Sequence, residues 1–425
     1  MGIKGDLRRW RMGFRDRVAS IEAWFTPRRM LAAALVVLAG DLLASALWLA
    51  TQHDLMDRFH QPMGGDFIIF YAASSLTLKG KALAAFSAQA MLAAERAAVA
   101  GTAPGLLWCY PPPFQMLVAP LALVPFALAL ALWSALGIGG YLATIRRISP
   151  HRGTLLFALA FPGLFVTVWQ GQTSLFVFTV LGLGLTMLDR RPWLAGAVLG
   201  LLVCKPQFAI LLPVLMIGSG RWRTIGGAAA SVLALSALSA AVFGLPLWRA
   251  FLTGLPEVSA SLARGELPWA KVPSMFVALA WLGVPHTVAL AVHGAIALAA
   301  LLATLWAWRR PGPLALKAAL AVLATLIATP YSFNYDLVLL ALPIAAVAET
   351  ARRHPLPVGT KLIMGLAVLT PNLFLSLAQH THVQLTPLAI LVVFWAVWRA
   401  YASVLGGAKA VSWREQPVAM PVVSA

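Results

Sequence analysis

The most constraining feature of this chain is a series of about a dozen apolar stretches, most of them close to the length that crosses a membrane as a helix. A bilayer core is about 30 Å thick and an α-helix rises about 1.5 Å per residue. Only 11% of the 425 residues are charged, against about a quarter in soluble domains. The sequence predicts an all-α polytopic membrane protein of about 12 transmembrane helices, with spans near 30–50, 113–145, 153–168, 173–188, 192–204, 206–218, 224–243, 285–308, 313–329, 335–349, 359–377 and 385–402.

Two of these regions depart from a simple crossing. The stretch 113–145 is too long for one straight span and contains Pro120 and Pro125, which favour a short half-helix followed by a single crossing. The stretches 192–204 and 206–218 are short and meet at Lys205-Pro206. They indicate two shallow helices with a turn near one membrane surface.

The basic residues predict an orientation. With the N-terminus in the cytoplasm, 24 of the 32 Lys and Arg residues fall in cytoplasmic segments and 8 fall outside, as the positive-inside rule requires. We expect a bacterial inner-membrane protein with cytoplasmic termini, and the net charge of +18 then serves topology and anionic headgroups rather than nucleic acid. The expected parts are a basic tail (1–29, with a retained signal-anchor after it), a transmembrane domain (30–403) with large outer loops 51–112 and 244–284, and a cytoplasmic tail (404–425).

The first outer loop has its own pattern. Asp66 follows Gly64-Gly65, which permit a tight turn, and precedes the apolar stripe of Phe67, Ile68, Phe70 and Tyr71. An Ala-rich stretch covers 82–101. Both stretches suit interfacial helices that lie on the membrane surface, which would place Asp66 beside the lipid headgroups.

Unusual polar residues collect in turns on the predicted outer side. Five separate turns carry amide, acid or basic groups next to Gly or Pro, and a functional site is expected where such groups share one membrane depth. The turns contribute Asp66, Gln170, Gln172, Lys205, Lys271, Tyr331, Asn334, Tyr335 and Asp336, with His380 and His382 in the last loop.

Each of these residues also has a structural interpretation. Asp66 and Asp336 each precede or begin an apolar run and suit helix N-caps, and Lys205 suits an interface lysine that extends to the headgroups. The two glutamines can satisfy backbone groups at a turn. We interpret His380 and His382 as solvated, Asp41 as a hydrogen-bond partner inside the bundle, and Cys109 and Cys204 as packing residues rather than a disulfide.

These groups suit an enzyme whose substrate is anchored in the membrane. A phosphate leaving group needs cations, which Lys205 and Lys271 supply, and an acceptor hydroxyl needs a base, which Asp66 supplies. Displacement at a sugar carbon by one such base inverts configuration. The alternatives are a transporter or flippase of lipid-linked sugars and a non-catalytic scaffold. The transporter predicts charges throughout the membrane depth, whereas the spans are nearly free of charge apart from Asp41.

An ordered set of motifs resembles glycosyltransferase family 87. The set is GGDFIIFYAASSLTLKG, WCYPPPFQMLVAPLALVPF, WQGQTSLF, DRRPWLAGAVLGLLVCKPQFAILLP, WAKVPSMF and TPYSFNYDLVLLALPI, over residues of about 60 to 350. The resemblance implies a GT-C-like bundle related to mannosyltransferases, a polyprenyl-phosphate sugar donor, a lipid or glycan acceptor, and Asp66 as the base. Asn334 stands where some members carry His, so the sugar stays open.

The expected site follows from these points. Asp66 is the catalytic candidate, and Lys205 and Lys271 are the candidates for the donor phosphate. No cofactor is expected, and a divalent metal is left open. The candidates for substrate binding are Tyr71, Tyr110, Gln170, Gln172, Gln207, Tyr331, Asn334 and Asp336.

Overall fold

The computed structural model describes residues 13–57, 61–103 and 108–410, and the regular elements in these ranges are helices. In chain order they are α1 (Phe14–Trp24), α2 (Pro27–Ala50), α3 (Phe67–Leu78), α4 (Ala88–Ala98), α5 (Pro112–Val118), α6 (Phe126–Ile148), α7 (Arg152–Leu159), α8 (Pro162–Trp169), α9 (Ser174–Met187), α10 (Pro192–Gly200), α11 (Leu212–Gly218), α12 (Trp222–Phe243), α13 (Leu245–Ala263), α14 (Met275–Trp281), α15 (His286–Trp308), α16 (Leu314–Ala328), α17 (Ala341–Ala351), α18 (Thr360–Thr381) and α19 (Thr386–Ala410). Segments of 3₁₀ helix cover Ala82–Phe86, Ala119–Leu123, Leu201–Cys204, Pro206–Phe208, Trp269–Lys271 and Asn334–Leu340.

The number of spans is smaller than the sequence predicts. Within the described ranges, seven helices are long and apolar enough to cross a membrane: α2, α6, α12, α15, Asn334–Ala351, α18 and α19 as far as Gly406. The pair α7 and α8, bent by 46°, makes an eighth if it counts as one span. Other apolar helices have 10–17 residues, fewer than the ~20 that a span needs. The all-helical membrane class is confirmed, but a count of about twelve is not.

The interruptions predicted from proline are present. α5 ends at Val118, a 3₁₀ segment covers Ala119–Leu123, and α6 begins at Phe126, directly after Pro125. On either side of Lys205 the chain forms short 3₁₀ turns between α10 and α11. The missing proline N–H and the fixed proline φ end the helix at both places.

In the segment 51–112, which the sequence predicts as the first outer loop, the expected interfacial helices are not confirmed. α3 is enclosed by protein, because it packs against α4, α5 and the two neighbouring 3₁₀ segments. Phe67 and Phe70 are both fully buried, and Phe70 lies 5.4 Å from Phe114 and 5.3 Å from Tyr110 between ring centroids. The apolar stripe therefore contributes to an aromatic core, and a surface position for α3 is not confirmed.

Basic and polar groups separate to opposite ends of the bundle. At one end Arg147 Nε donates to Thr186 Oγ1 over 2.9 Å, and Arg221 pairs with Asp189 over 2.8 Å. Ser174 lies at the other end, at the start of α9, whose 14 residues span about 21 Å. Asp336 contacts both Ser174 and Lys205 at this second end, about two thirds of a bilayer core away from the basic end.

The centre of the bundle is α16. Every residue from Leu316 to Ile327 is buried, so this helix is surrounded by α15, Asn334–Ala351, α9 and α19. Close backbone approach occurs between α10 and α12, where a Cβ on Gly196 would lie 2.0 Å from the Thr224 oxygen. Small residues allow this approach, and helices in a membrane associate through such packing.

Candidate active site

Asp66 is held by the turn that contains Gln170 and Gln172. Its backbone N–H donates to the Gln170 oxygen over 3.1 Å, and its Oδ2 accepts from Gln172 Nε2 over 2.7 Å. Gln172 Oε1 in turn accepts from the Thr173 N–H over 3.2 Å. Asp66 stands in the N-cap position of α3 but makes no side-chain cap hydrogen bond. Its carboxylate is therefore oriented by Gln172 across 106 residues rather than used as a helix cap.

Gly171 makes this contact possible. Its φ is +56°, and a Cβ there would lie 2.5 Å from the Phe67 Cβ and 2.7 Å from the Gly64 oxygen. Trp133 Nε1 donates to the Gly171 oxygen over 3.0 Å. Only glycine fits this left-handed position so close to the segment that contains Gly64 and Phe67, which explains the Gly between the two glutamines.

Lys205 and Asp336 form a buried ion pair. Lys205 Nζ lies 2.9 Å from Asp336 Oδ1, with 8% and 1% of the two side chains exposed. Ser174 Oγ donates to the same oxygen over 2.5 Å, and the Phe333 N–H donates to Oδ2 over 2.9 Å. Asp336 therefore caps its own 3₁₀ segment and also neutralises Lys205, so the interpretation of Lys205 as an isolated interface lysine is wrong.

Lys271 lies on a turn that a hydrogen bond from Gln384 stabilises. Gln384 is buried, and its Nε2 donates to the Ala270 oxygen over 2.9 Å. The Lys271 side chain is half-buried. Its charge and that of Lys205 both act on the carboxylate of Asp66, so the structure brings the two lysines and the acid into one electrostatic neighbourhood.

The environment of Asp66 favours a basic carboxylate. Burial raises its pKa above the usual 3.8, while the hydrogen bond from Gln172 and the charges of Lys271 and Lys205 lower it, and burial prevails. A raised pKa makes the ionised carboxylate a stronger base. Asp66 nevertheless keeps some exposed surface. Partial exposure together with strong desolvation is typical of a recess.

Cys109 and Tyr110 lie at the same recess, which we define by Asp66, Cys109, Tyr110, Lys205 and Lys271. Cys109 is exposed, yet desolvation raises the pKa of its thiol, and the charges of Lys205 and Asp66 both reach it. Burial also raises the pKa of Tyr110 well above 10, and the neighbouring Gln172 acts in the opposite direction. Tyr110 is thus a neutral phenol beside the acid.

Four other candidates have different surroundings. Tyr71 donates to the Val124 oxygen over 3.0 Å, and Tyr331 donates to Ser259 over 2.8 Å, so both hydroxyls make contacts within the protein. The backbone oxygen of Gln207 accepts from Thr329 over 3.2 Å. Asn334 is buried, and its Oδ1 has no hydrogen-bond partner among the described residues. Their substrate-binding roles stay predictions.

The remaining polar candidates do not form a metal site in the described ranges, where no group of three His, Cys, Asp or Glu residues could hold an ion. His380 and His382 are exposed, and Nδ1 of His380 contacts the Ser376 oxygen at 2.7 Å. Both thiols are free. Asp41 is buried against the bundle, with Oδ2 unpartnered among the described residues.

Sequence reasoning gave no site role to four residues around the recess. Ser174 binds Asp336, Gln384 holds the Lys271 turn, and the ring of Tyr335 lies 5.4 Å from Lys205 Nζ. Cys109 is exposed beside Tyr110. Ser174 and Tyr335 are inside the motifs WQGQTSLF and TPYSFNYD, so their position in those turns was the available signal. Gln384 had no such signal, because it lies in a separate loop.

A family model for glycosyltransferase family 87 matches residues 108–330, which is more than half of the chain. The chain belongs to glycosyltransferase family 87. The family 87 segment contains Gln172, Lys205 and Lys271, whereas Asp66 and Asp336 lie outside it. No curated protein and no solved structure matches the chain. Family membership and the apolar helices together make this protein a membrane glycosyltransferase.

Proposed function

We propose that this family 87 protein is an inverting glycosyltransferase that moves mannose or another hexose from a polyprenyl-phosphate donor to an envelope glycolipid or glycan. The observation that carries the proposal is Asp66, oriented by Gln172 over 2.7 Å and placed within the field of two lysines. A base beside cations matches a reaction with a hydroxyl nucleophile and a phosphate leaving group.

The reaction balances with these groups alone. Asp66 takes the proton of the acceptor hydroxyl, and the acceptor oxygen attacks C1 of the sugar from the face opposite the phosphate. The C1–O bond to phosphate breaks, and its electron pair leaves with the polyprenyl phosphate, whose negative charge the positive charge of the recess stabilises. Asp66 later releases the proton to water. One displacement inverts the anomeric configuration.

The proposed setting is the periplasmic face of a bacterial inner membrane, with both termini in the cytoplasm. The support is the separation of the basic loops from the recess, which lies at the opposite end of α9 from Arg190 and Arg191. The polyprenyl donor would enter this recess sideways from the lipid. Gln170, Gln172, Tyr110 and Asn334 would contact the sugar.

The test is sugar transfer by purified protein in detergent. The assay supplies polyprenyl-phosphate hexoses labelled in the sugar, with a lipid extract of the producing cell as acceptor, and the anomeric configuration of the product is read by NMR. We expect an inverted product and a loss of about 10²–10⁴-fold in Asp66→Asn. The matched control, Asp57→Asn, changes an acid in the same loop. Because detergent abolishes compartments, a transporter would give no product, and a retained configuration would refute the single-displacement mechanism.

A further inference from the structure

The two lysines of the recess differ in what they already bind. Lys205 is 7% exposed and its ammonium lies 2.9 Å from Asp336 Oδ1. Lys271 is half-buried, and neither a hydrogen bond nor an ion pair of its side chain occurs with any described residue. One charge is therefore compensated inside the protein, and the other is available to a ligand.

Asp336 is not accessible to a substrate. Its Oδ1 accepts from both Lys205 and Ser174, its Oδ2 accepts from the Phe333 N–H, and the residue is 0% exposed. A phosphate that drew Lys205 away would leave a buried carboxylate without its cation. Breaking a buried ion pair in this way is strongly unfavourable, so the pair stays closed.

Aromatic rings fix the ammonium from two further sides. The Nζ atom of Lys205 lies 5.1 Å from the ring centroid of Phe208 and 5.4 Å from that of Tyr335, within the range of cation–π attraction. The Asp336 carboxylate, Ser174 and these rings come from three distant parts of the chain. Lys205 is thus a fixed charge in the wall of the recess.

We infer that Asp336 and Ser174 are positioning residues that hold Lys205 in the wall, so that Lys205 acts on Asp66 through space and Lys271 binds the phosphate of the donor. This inference rests on the proposed function and divides its two cationic roles between the lysines. It also corrects the expected substrate contact of Asp336.

The arrangement predicts a particular pH dependence. The charges of Lys271 and Lys205 act on Asp66, and Asp66 in turn acts on Cys109, Tyr110 and Tyr335. The charge of Asp336 acts on the same two tyrosines and lies 2.9 Å from Lys205 Nζ. Because Asp336 offsets part of the field of Lys205, Asp336→Asn lets Lys205 stabilise the ionised form of Asp66 more strongly. The acid limb of kcat/KM then moves to lower pH. Lys205→Met moves it to higher pH, and the double variant, which removes both charges, returns it near the wild-type position.

The experiment uses the full chain in detergent and three readouts. Thermal unfolding compares Lys205→Met, Asp336→Asn and their double variant. Titration with sugar-free polyprenyl phosphate measures binding without catalysis, with Lys271→Met as the test and Lys81→Met, an exposed lysine of the first outer loop, as the matched control. The transfer assay gives kcat and donor KM against pH.

The expected results are specific. Each single change at the pair lowers the melting temperature, and the double variant recovers most of the loss. Lys271→Met weakens polyprenyl phosphate binding about tenfold or more without lowering the melting temperature. The double variant of Lys205 and Asp336 binds polyprenyl phosphate as the wild type does. Additive thermal losses, or weakened binding in the double variant, would overturn the inference. A wild-type protein that transfers no sugar while the thermal cycle shows coupling overturns the proposed function instead.

Discussion

The contact between Gln172 and Asp66 allows a prediction that separates positioning from general damage. Replacing Gln172 by Ala removes the 2.7 Å hydrogen bond to the carboxylate. A hydrogen bond to a charged group contributes about 1.5–3 kcal/mol. Since Asp66 is partly exposed and water replaces the lost amide, we take the lower end, about 1.5 kcal/mol, which corresponds to about tenfold in kcat/KM.

The same change must move the pH profile in a defined direction. The Gln172 hydrogen bond lowers the pKa of Asp66, against the burial that raises it. Without Gln172 the pKa rises further, so Asp66 stays protonated to higher pH and the acid limb of kcat/KM moves up. The assay is sugar transfer in detergent across the pH range in which the protein stays folded.

Gln170→Ala is the matched control for this prediction. Gln170 belongs to the same turn and is the same residue type, but its contact with Asp66 is through the backbone oxygen, which alanine retains. We therefore expect no movement of the acid limb in this variant. If both variants lose the same activity and neither shifts the limb, Gln172 does not orient the base and the reasoning is refuted.

Three further predictions test the recess and its support. Near pH 4, the usual pKa of the group, Asp66→Asn should have the same melting temperature as the wild type. At alkaline pH its melting temperature should be higher than that of the wild type. The reason is that the folded-state pKa is raised and ionisation then disfavours the folded state; a lower melting temperature at alkaline pH contradicts this. Alkylation of Cys109 in a Cys204→Ser background should abolish transfer and should slow when polyprenyl phosphate is bound. Its rate should increase with pH, as the thiolate forms, over a higher range than for an ordinary thiol, because burial raises the pKa of Cys109. Modification without loss of transfer would show that the thiol lies away from the recess. Phe70→Ala should lower the free energy of unfolding by about 3–5 kcal/mol, because the ring is 0% exposed, and Phe70→Leu should cost less; equal effects would argue against the aromatic core.

The sequence predicted much of the architecture because the relevant signals are local. Hydropathy identified helices in a membrane, prolines located the breaks before Phe126 and at Lys205, and the basic loops identified one end of the bundle. These signals overestimated the number of spans. An apolar helix of 14 residues such as α9 has the composition of a span without the necessary length.

Apolar character alone also left the position of α3 open. Phe67 and Phe70 can face lipid or an aromatic core with similar free energy, because both surroundings are apolar. The structure places both rings in the core, where they contact Trp133, Phe126 and Phe114, which belong to elements distant in sequence. A periodic pattern carries no information about which apolar neighbour is present.

The sequence by itself determined that this is a helical membrane protein of family 87 character, with polar turns gathered at one end. Only the tertiary structure decided which polar groups meet. Lys205 suited an interface lysine, a phosphate ligand or an ion pair equally well, and its partner Asp336 lies 131 residues away. The physical reason is that hydropathy and turn signals act over a few residues, whereas pairing in a low-dielectric recess depends on distances that the packing of the helices sets.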